Sequence, residues 1–124
     1  METHQTVMAA RPASAACLAA LVLAGCAAPP THYAWGGYES QVHETYAKPG
    51  KVSAEQQIRR MEEDFQKARS KDKPVHPGFH AHLGYLYYQT GKLLQARQEF
   101  ETERAEFPES TVFMNRLLAN IKSP

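Results

Sequence analysis

The stretch PGFHAHLGYLYYQTGKLLQARQEFETERAEFPES, residues 77–110, decides the fold. The apolar residues of its first part recur at helical spacing: Phe79, Leu83, Leu86 and Tyr87. Those of its second part do the same: Leu93, Ala96, Phe100 and Phe107. Between them, residues 89–92 stop the first helix, and Gly91 can take the left-handed conformation that closes a helix end. Pro108 ends the second helix. The stretch therefore predicts two amphipathic helices joined by a glycine turn.

The length and spacing of this hairpin resemble those of a tetratricopeptide repeat (TPR). With Pro77 as the first position, the residues on the signature positions of the repeat are Leu83, Gly84, Tyr87, Ala96, Phe100 and Pro108. Two positions depart from the pattern: His80 replaces a large apolar residue and Glu103 a small one. Gly84 costs about 1 kcal/mol in a helix relative to Ala, so we expect the second helix to approach closely there, with the small Ala96 at that level. The resemblance implies a module that binds proteins and performs no chemistry.

Helices must flank this hairpin, because a single hairpin cannot bury both of its faces. A short helix is predicted at residues 38–47, broken by residues 48–51, and its apolar side consists of Tyr38, Val42 and either Tyr46 or Thr45. A longer helix opens at a capping box of Ser53 and Gln56 and runs to about Ser70. Its apolar stripe is Ile58, Met61, Phe65 and Ala68. Its charged residues are interpreted as a solvated face in preference to a docking surface: Arg59, Arg60, Glu62, Glu63, Asp64 and Lys67.

A last helix is predicted after Ser110, which we interpret as its cap. Its apolar residues are Val112, Phe113, Leu117 and Ile121. With no convincing strand in the sequence, the predicted fold is all-α. The predicted organisation is a signal peptide at residues 1–25, a tether with an aromatic segment at residues 26–37, and a TPR-like helical domain at residues 38–124.

The first quarter of the chain has the pattern of a secretion signal that ends in a lipid-attachment site. Residues 12–26 read PASAACLAALVLAGC, an apolar run too short for a stable transmembrane helix. The run ends in Leu23, Ala24, Gly25 and Cys26, which resembles the lipobox of bacterial lipoproteins, where the thiol carries diacylglycerol. The alternative is an ordinary signal peptide with a chance cysteine. Met1 and Met8 are both candidate start sites.

Cleavage before Cys26 leaves a nearly neutral mature chain. The full sequence has 14 basic and 13 acidic residues, and removing Arg11 and Glu2 keeps the net charge at +1. This charge does not favour nucleic acid as a partner. Cys17 lies in the leader and Cys26 carries the lipid, so no thiol remains for a disulfide, a metal or a nucleophile. Ala27 follows the lipidated cysteine, and by the lipoprotein resemblance this favours the outer membrane over the inner one.

Residues 33–38, YAWGGY, concentrate aromatic side chains directly before the first predicted helix. The glycine pair at 36–37 suits a sharp turn into that helix. We favour packing of the aromatic residues over the open end of the helices; a recognition patch for a partner is the alternative, and the two can coexist. The candidate partner-binding residues are Trp35, Tyr38, His80 and Tyr88.

The residues that could carry chemistry do not form a recognisable site. His76, His80 and His82 lie close in sequence, but in a helix His80 and His82 point to different sides, and no acidic residue lies nearby in sequence to complete a metal site. Paired carboxylates at a recognisable spacing, a glycine-rich phosphate loop and a serine elbow are absent from the sequence. We therefore expect neither an enzyme nor a metal or cofactor site.

Four segments, in this order, resemble a family of small bacterial lipoproteins classed as a domain of unknown function: residues 35–39, 58–64, 77–84 and 107–110. The resemblance covers nearly all of the mature chain. It implies that the protein is an accessory lipoprotein that accompanies a curli-secretion-channel-like lipoprotein and another small lipoprotein. The expected function is a lipid-anchored adaptor in an envelope assembly, on the periplasmic side of the outer membrane. The alternative is a lipoprotein that activates an envelope enzyme such as a peptidoglycan synthase.

Overall fold

The computed structural model describes residues 30–121, which contain five α-helices. They are α1 (Tyr38–Ala47), α2 (Ala54–Arg69), α3 (Phe79–Gln89), α4 (Leu93–Glu106) and α5 (Thr111–Asn120), with a 3₁₀ turn at Pro108–Ser110 before α5. Within these residues strand-like pairing is limited to one parallel bridge between Ala34 and Val75. The all-α prediction is thus confirmed. The predicted signal peptide and the lipobox residues Leu23, Ala24, Gly25 and Cys26 lie outside the described residues.

The predicted capping box opens α2. The Ser53 hydroxyl accepts a hydrogen bond from the Gln56 backbone N–H at 3.3 Å, and the Gln56 side-chain oxygen accepts one from the Ser53 N–H at 3.1 Å. The predicted stripe of this helix is confirmed, with Ile58, Met61 and Ala68 buried and Phe65 partly buried. These two local patterns determine where α2 begins and which side faces the core.

Helix α1 runs antiparallel to α2 and is held to it mainly by polar side chains. The Thr45 hydroxyl donates to the Gln57 side-chain oxygen at 3.1 Å, and the Arg60 guanidinium donates to the Glu44 carboxylate at 2.9 Å. Of the two residues predicted at the last apolar position, Thr45 is the one that packs, whereas Tyr46 is exposed.

Helices α3 and α4 form the predicted antiparallel hairpin. Gly91 has a φ of +76°, as predicted for the residue that follows the helix end. The backbone N–H of Lys92 donates to the Tyr87 carbonyl at 2.9 Å, and that of Gly91 donates to the Tyr88 carbonyl at 3.1 Å. Together these two bonds make a Schellman motif, which satisfies carbonyls that the end of α3 leaves without helical partners.

Gly84 marks the closest approach of the two helices, as predicted, but its neighbour is not Ala96. A Cβ placed on Gly84 would lie 2.7 Å from two ring carbons of Phe100 and 3.1 Å from the Glu99 Cβ. Ala96 is fully buried, yet none of its atoms is among the nearest to Gly84. The missing side chain therefore makes room for the Phe100 ring.

Three predictions are wrong, two for the start of α5 and one for the start of α4. Ser110 does not cap α5, because its hydroxyl donates backwards to the carbonyls of Phe107 at 2.8 Å and Glu103 at 3.3 Å. Val112 and Phe113 are exposed, whereas Leu117 and Ile121 pack on the core as predicted, in one helical phase with Met114 and Leu118. The 3₁₀ turn at residues 108–110 sets this phase, because it fixes the rotation at which α5 begins. Leu93, predicted on the apolar side of α4, is exposed at its start.

Two carboxylates close the N-termini of α1 and α3 from the neighbouring helix. Asp64 in α2 accepts a hydrogen bond from the backbone N–H of Gly37, the residue before α1, at 2.8 Å. Glu103 in α4 accepts bonds from the N–H groups of Gly78 at 2.7 Å and Ala81 at 3.3 Å. The assignment of Asp64 to a solvated face is therefore wrong. The departure of Glu103 from the repeat pattern is explained by its capping of α3, since anions are stabilised at helix N-termini.

Candidate partner-binding surface

The residues on the TPR signature positions form the interior of the hairpin. Leu83, Gly84, Tyr87, Ala96 and Phe100 are all buried. Pro108 begins the 3₁₀ turn after α4. Burial raises the pKa of the Tyr87 hydroxyl, and the hydrogen bond that it donates to Glu62 raises it further. These residues hold α2, α3 and α4 together.

The aromatic segment, residues 33–38, packs on the helices and also remains partly exposed to solvent. The Trp35 ring stacks on His76, with ring centres 4.3 Å apart and planes within 5°, yet 40% of Trp35 is exposed. Tyr38 and His82 complete an aromatic cluster with these two rings. The ring centre of Tyr38 lies 4.2 Å from that of His76 and 5.4 Å from that of His82. The backbone N–H of Ala34 donates to the Pro74 carbonyl at 2.7 Å, which ties the segment to the loop before α3.

His76 and His82 belong to this aromatic cluster. The Nδ1–H of His76 donates to the Pro77 carbonyl at 2.9 Å, and its ring is buried. The Nδ1 of His82 lies 3.2 Å from the Tyr38 hydroxyl. Burial lowers the pKa of His82, and the charge of nearby His76 lowers it further. Burial also raises the pKa of Tyr38, with smaller contributions from Tyr46 and Glu103. Both groups are therefore favoured in their neutral forms.

His80 is not available to a partner, although the sequence made it a candidate. It is 3% exposed and packs against the rings of Phe65 and Phe79. Its Nδ1 lies 2.6 Å from the Glu99 carboxylate, and Glu106 lies 3.5 Å from its Nε2. Both carboxylates come from α4, so no acidic residue lies near His80 in the sequence. In residues 30–121 no group of three or more His, Cys, Asp or Glu side chains is arranged to hold a metal ion.

The accessible candidate surface lies along α3 between α1 and α5. Tyr85 and Tyr88 stand on this face with 48% and 45% of their surfaces exposed. On one side, a groove between α3 and α1 is lined mainly by Tyr38, Val42, Tyr46, His82, Tyr85 and Leu86. On the other side, Tyr85 and Tyr88 line two adjoining shallow hollows together with Leu93, Phe100, Leu117, Asn120 and Ile121.

Of the two exposed tyrosines of α3, the sequence analysis named Tyr88 as a candidate and did not name Tyr85. The available signal was that Tyr85 and Tyr88 are three residues apart and lie off the predicted apolar stripe of α3. Large aromatic side chains that remain half exposed next to grooves are typical of recognition surfaces, because they supply much contact area at a small entropy cost.

A family model matches residues 32–117, and its description is "Domain of unknown function (DUF4810)". The chain belongs to this family. The DUF4810 domain thus includes the aromatic segment, the first four helices and most of α5. Comparisons of the chain with curated proteins and with solved structures found no match. Within residues 30–121, none of the helices has the length and apolar character needed to cross a bilayer.

Proposed function

We propose that this protein is a bacterial lipoprotein, attached to the outer membrane through Cys26, that works as a non-catalytic adaptor. It binds a segment of another envelope protein, itself a lipoprotein, on the side of α3 that carries Tyr85 and Tyr88. We call this side the tyrosine face. The observation that carries the proposal is the exposed pair Tyr85 and Tyr88, with hollows on both sides. Membership of DUF4810 is consistent with this function but assigns none.

The TPR-like character of the helices supports a binding function. Pairs α1–α2 and α3–α4 are built to one plan, in which the second helix supplies a carboxylate to the N-terminus of the first. In TPR arrays the first helices of successive hairpins line a common groove, and that groove binds extended or helical segments of partners. Here α1, α3 and α5 line the tyrosine face in the same way.

Site-specific photocrosslinking in living cells tests the proposal. A photoreactive amino acid at position 88 should give a discrete adduct with a lipid-modified envelope protein. The same group at position 113, which is exposed but lines none of the hollows described above, should not. In the unsubstituted background, Tyr85→Ala with Tyr88→Ala should abolish recovery of that partner, whereas the matched exposed pair Val112→Ala with Phe113→Ala should retain it.

The outcomes separate the two function hypotheses. Adducts at position 88 with a lipoprotein support the adaptor, and an adduct there with a peptidoglycan synthase replaces it with the regulator of an envelope enzyme. Equal adducts at positions 88 and 113 would show that the tyrosine face is not a specific surface. Cys26→Ala should release the protein from the membrane fraction; if it does not, the lipid anchor is wrong.

A further inference from the structure

A basic segment lies beside the point where the chain joins the helical unit. Four of the 14 basic residues of the chain lie between positions 67 and 73, together with only one of its 13 acidic residues. The basic residues are Lys67, Arg69, Lys71 and Lys73, of which Lys67 lies 3.6 Å from the Asp64 carboxylate. The Lys73 ammonium donates to the Thr31 hydroxyl at 3.4 Å, and Ala34 is bonded to Pro74, so this segment and the start of the helical unit are adjacent.

The chain between Cys26 and the helical unit is short. Five residue steps from Cys26 to Thr31 span at most about 17 Å when fully extended. A compact unit of this length has a diameter of roughly 30 Å. If Cys26 carries the lipid, as the proposed function requires, the tether cannot lift the helical unit clear of the bilayer by more than a fraction of that diameter. The surface around Thr31 therefore stays within about 17 Å of the headgroups.

Trp35 gives the same surface an aromatic side chain suited to a membrane interface. One face of its ring stacks on His76, and 40% of the residue remains exposed. Trp side chains are enriched at the level of the headgroups, because the ring is amphipathic. Lys and Arg near an anionic leaflet are attracted by its negative surface potential. Basic and aromatic groups thus occur together where the tether brings the bilayer closest.

We infer that this surface, residues 67–73 together with Trp35, is a membrane-facing side that binds anionic lipid headgroups. We call it the lipid-facing surface. It rests on the proposed lipid anchor at Cys26, and it fixes the orientation of the unit, with Trp35 turned towards the headgroups. An acidic protein segment would suit the same charges, but the length of the tether favours the bilayer, which is already within reach.

The sole tryptophan of the chain, Trp35, makes the orientation measurable. Processed, lipidated full-chain protein would be reconstituted into vesicles of phosphatidylcholine alone or with about one third phosphatidylglycerol, a composition chosen for strong surface charge. Collisional quenching of tryptophan emission by acrylamide would be measured in both. We expect a severalfold lower quenching constant in the anionic vesicles, with an emission shift to shorter wavelength.

Charge variants test the basic residues. Lys71→Glu with Lys73→Glu should remove the difference between the two kinds of vesicle. Lys48→Glu with Lys51→Glu makes the same change of charge in the turn before α2, at the far end of a helix about 24 Å long, and should keep the difference. Lys71→Gln with Lys73→Gln is a milder variant for use if the double Glu variant unfolds, and it should reduce the protection of Trp35.

Equal quenching in both vesicle types, or equal effects of the two lysine pairs, overturns the lipid-facing surface while leaving the anchor intact. Protection that appears only when native membrane proteins are added would assign the surface to a protein partner instead. If the full-chain protein isolated from cells carries no lipid and binds neither kind of vesicle, the lipid anchor at Cys26 is refuted, and the proposed function with it.

Discussion

Replacing Glu103 by Gln tests whether a carboxylate from α4 holds the start of α3. The side chain is 2% exposed, and its two oxygens accept hydrogen bonds from the Gly78 and Ala81 backbone N–H groups. Gln keeps the size of the side chain but has one acceptor oxygen, and its NH₂ group can only donate. In the variant, one of the two backbone N–H groups therefore faces another donor, and the negative charge at the helix N-terminus is lost.

The expected loss of stability follows from these contacts. A hydrogen bond to a charged group contributes about 1.5–3 kcal/mol net, and Glu103→Gln retains the shorter of the two as a neutral bond. We expect a loss of about 1–2 kcal/mol in the free energy of unfolding, in the range known for helix caps. Glu103→Ala leaves both N–H groups without their acceptor and opens a cavity, so about 3–4 kcal/mol is expected.

Urea unfolding of the full chain, followed by circular dichroism, measures both variants. Glu101→Gln is the matched control, because Glu101 is an exposed residue of the same helix, and it should change stability by less than about 0.5 kcal/mol. Amide hydrogen exchange adds a local readout, since the Gly78 and Ala81 amides should lose protection in Glu103→Gln. If Glu103→Gln behaves like Glu101→Gln in both measurements, Glu103 does not cap α3.

Two further predictions concern the packing of the hairpin and the response to pH. Gly84→Ala places a Cβ 2.7 Å from the Phe100 ring, and the resulting loss of about 1–3 kcal/mol in stability should exceed the gain of about 1 kcal/mol in helix propensity. In urea unfolding, the double variant with Phe100→Leu should lose less stability than the sum of the two single variants. Simple additivity would contradict the close contact. Burial lowers the pKa of His82 below its ordinary value of 6.5, so the folded state favours the neutral ring. The contribution of His82 to the free energy of unfolding is therefore complete above pH 6.5 and is lost as the pH falls, with a slope of at most about 1.4 kcal/mol per pH unit. The difference in unfolding free energy between pH 7.5 and pH 5.5 should therefore be smaller in His82→Gln than in the unsubstituted protein, and an equal difference would contradict the burial of a neutral ring.

The sequence predicted the features that depend on neighbouring residues. The capping box at Ser53, the turn at Gly91 and the apolar stripe of α2 all follow from local spacing, because the groups that interact lie within a few turns of each other. Which residues of the first turn of α5 face the core could not be predicted in this way. It depends on the 3₁₀ turn at residues 108–110, where the chain rotates by an amount that apolar periodicity does not specify.

The candidate surface was only partly predictable, for the same reason. Tyr88 was a candidate residue from the sequence, but the exposure of Tyr85 depends on how far α1 and α5 cover α3. His80, which was also a candidate contact residue, is buried. Its imidazole is polar, yet Glu99 and Glu106 from α4 surround it, and nothing near His80 in the sequence indicates that they do.

The two capping carboxylates show why the sequence revealed one hairpin and not two. Gly37 and Gly78 are 41 residues apart, as are Gly50 and Gly91, but Asp64 and Glu103 are only 39 apart. The segment from Gly91 to Glu103 is thus two residues shorter than the segment from Gly50 to Asp64. One fixed period in the sequence therefore does not show the correspondence. Once Asp64 and Glu103 are matched, Gln57 and Met61 fall on Ala96 and Phe100, all of which are buried.

This correspondence bears on function because it identifies α1 as the equivalent of α3. The tyrosine face is then the side shared by the first helices of two successive hairpins, with α5 following as the next helix in the series. A partner lying across α1, α3 and α5 would contact Tyr46 as well as Tyr85 and Tyr88. Crosslinks from position 46 to the same partner are therefore expected, and their absence, with position 88 still reactive, would confine the binding site to the side of α3 that faces α5.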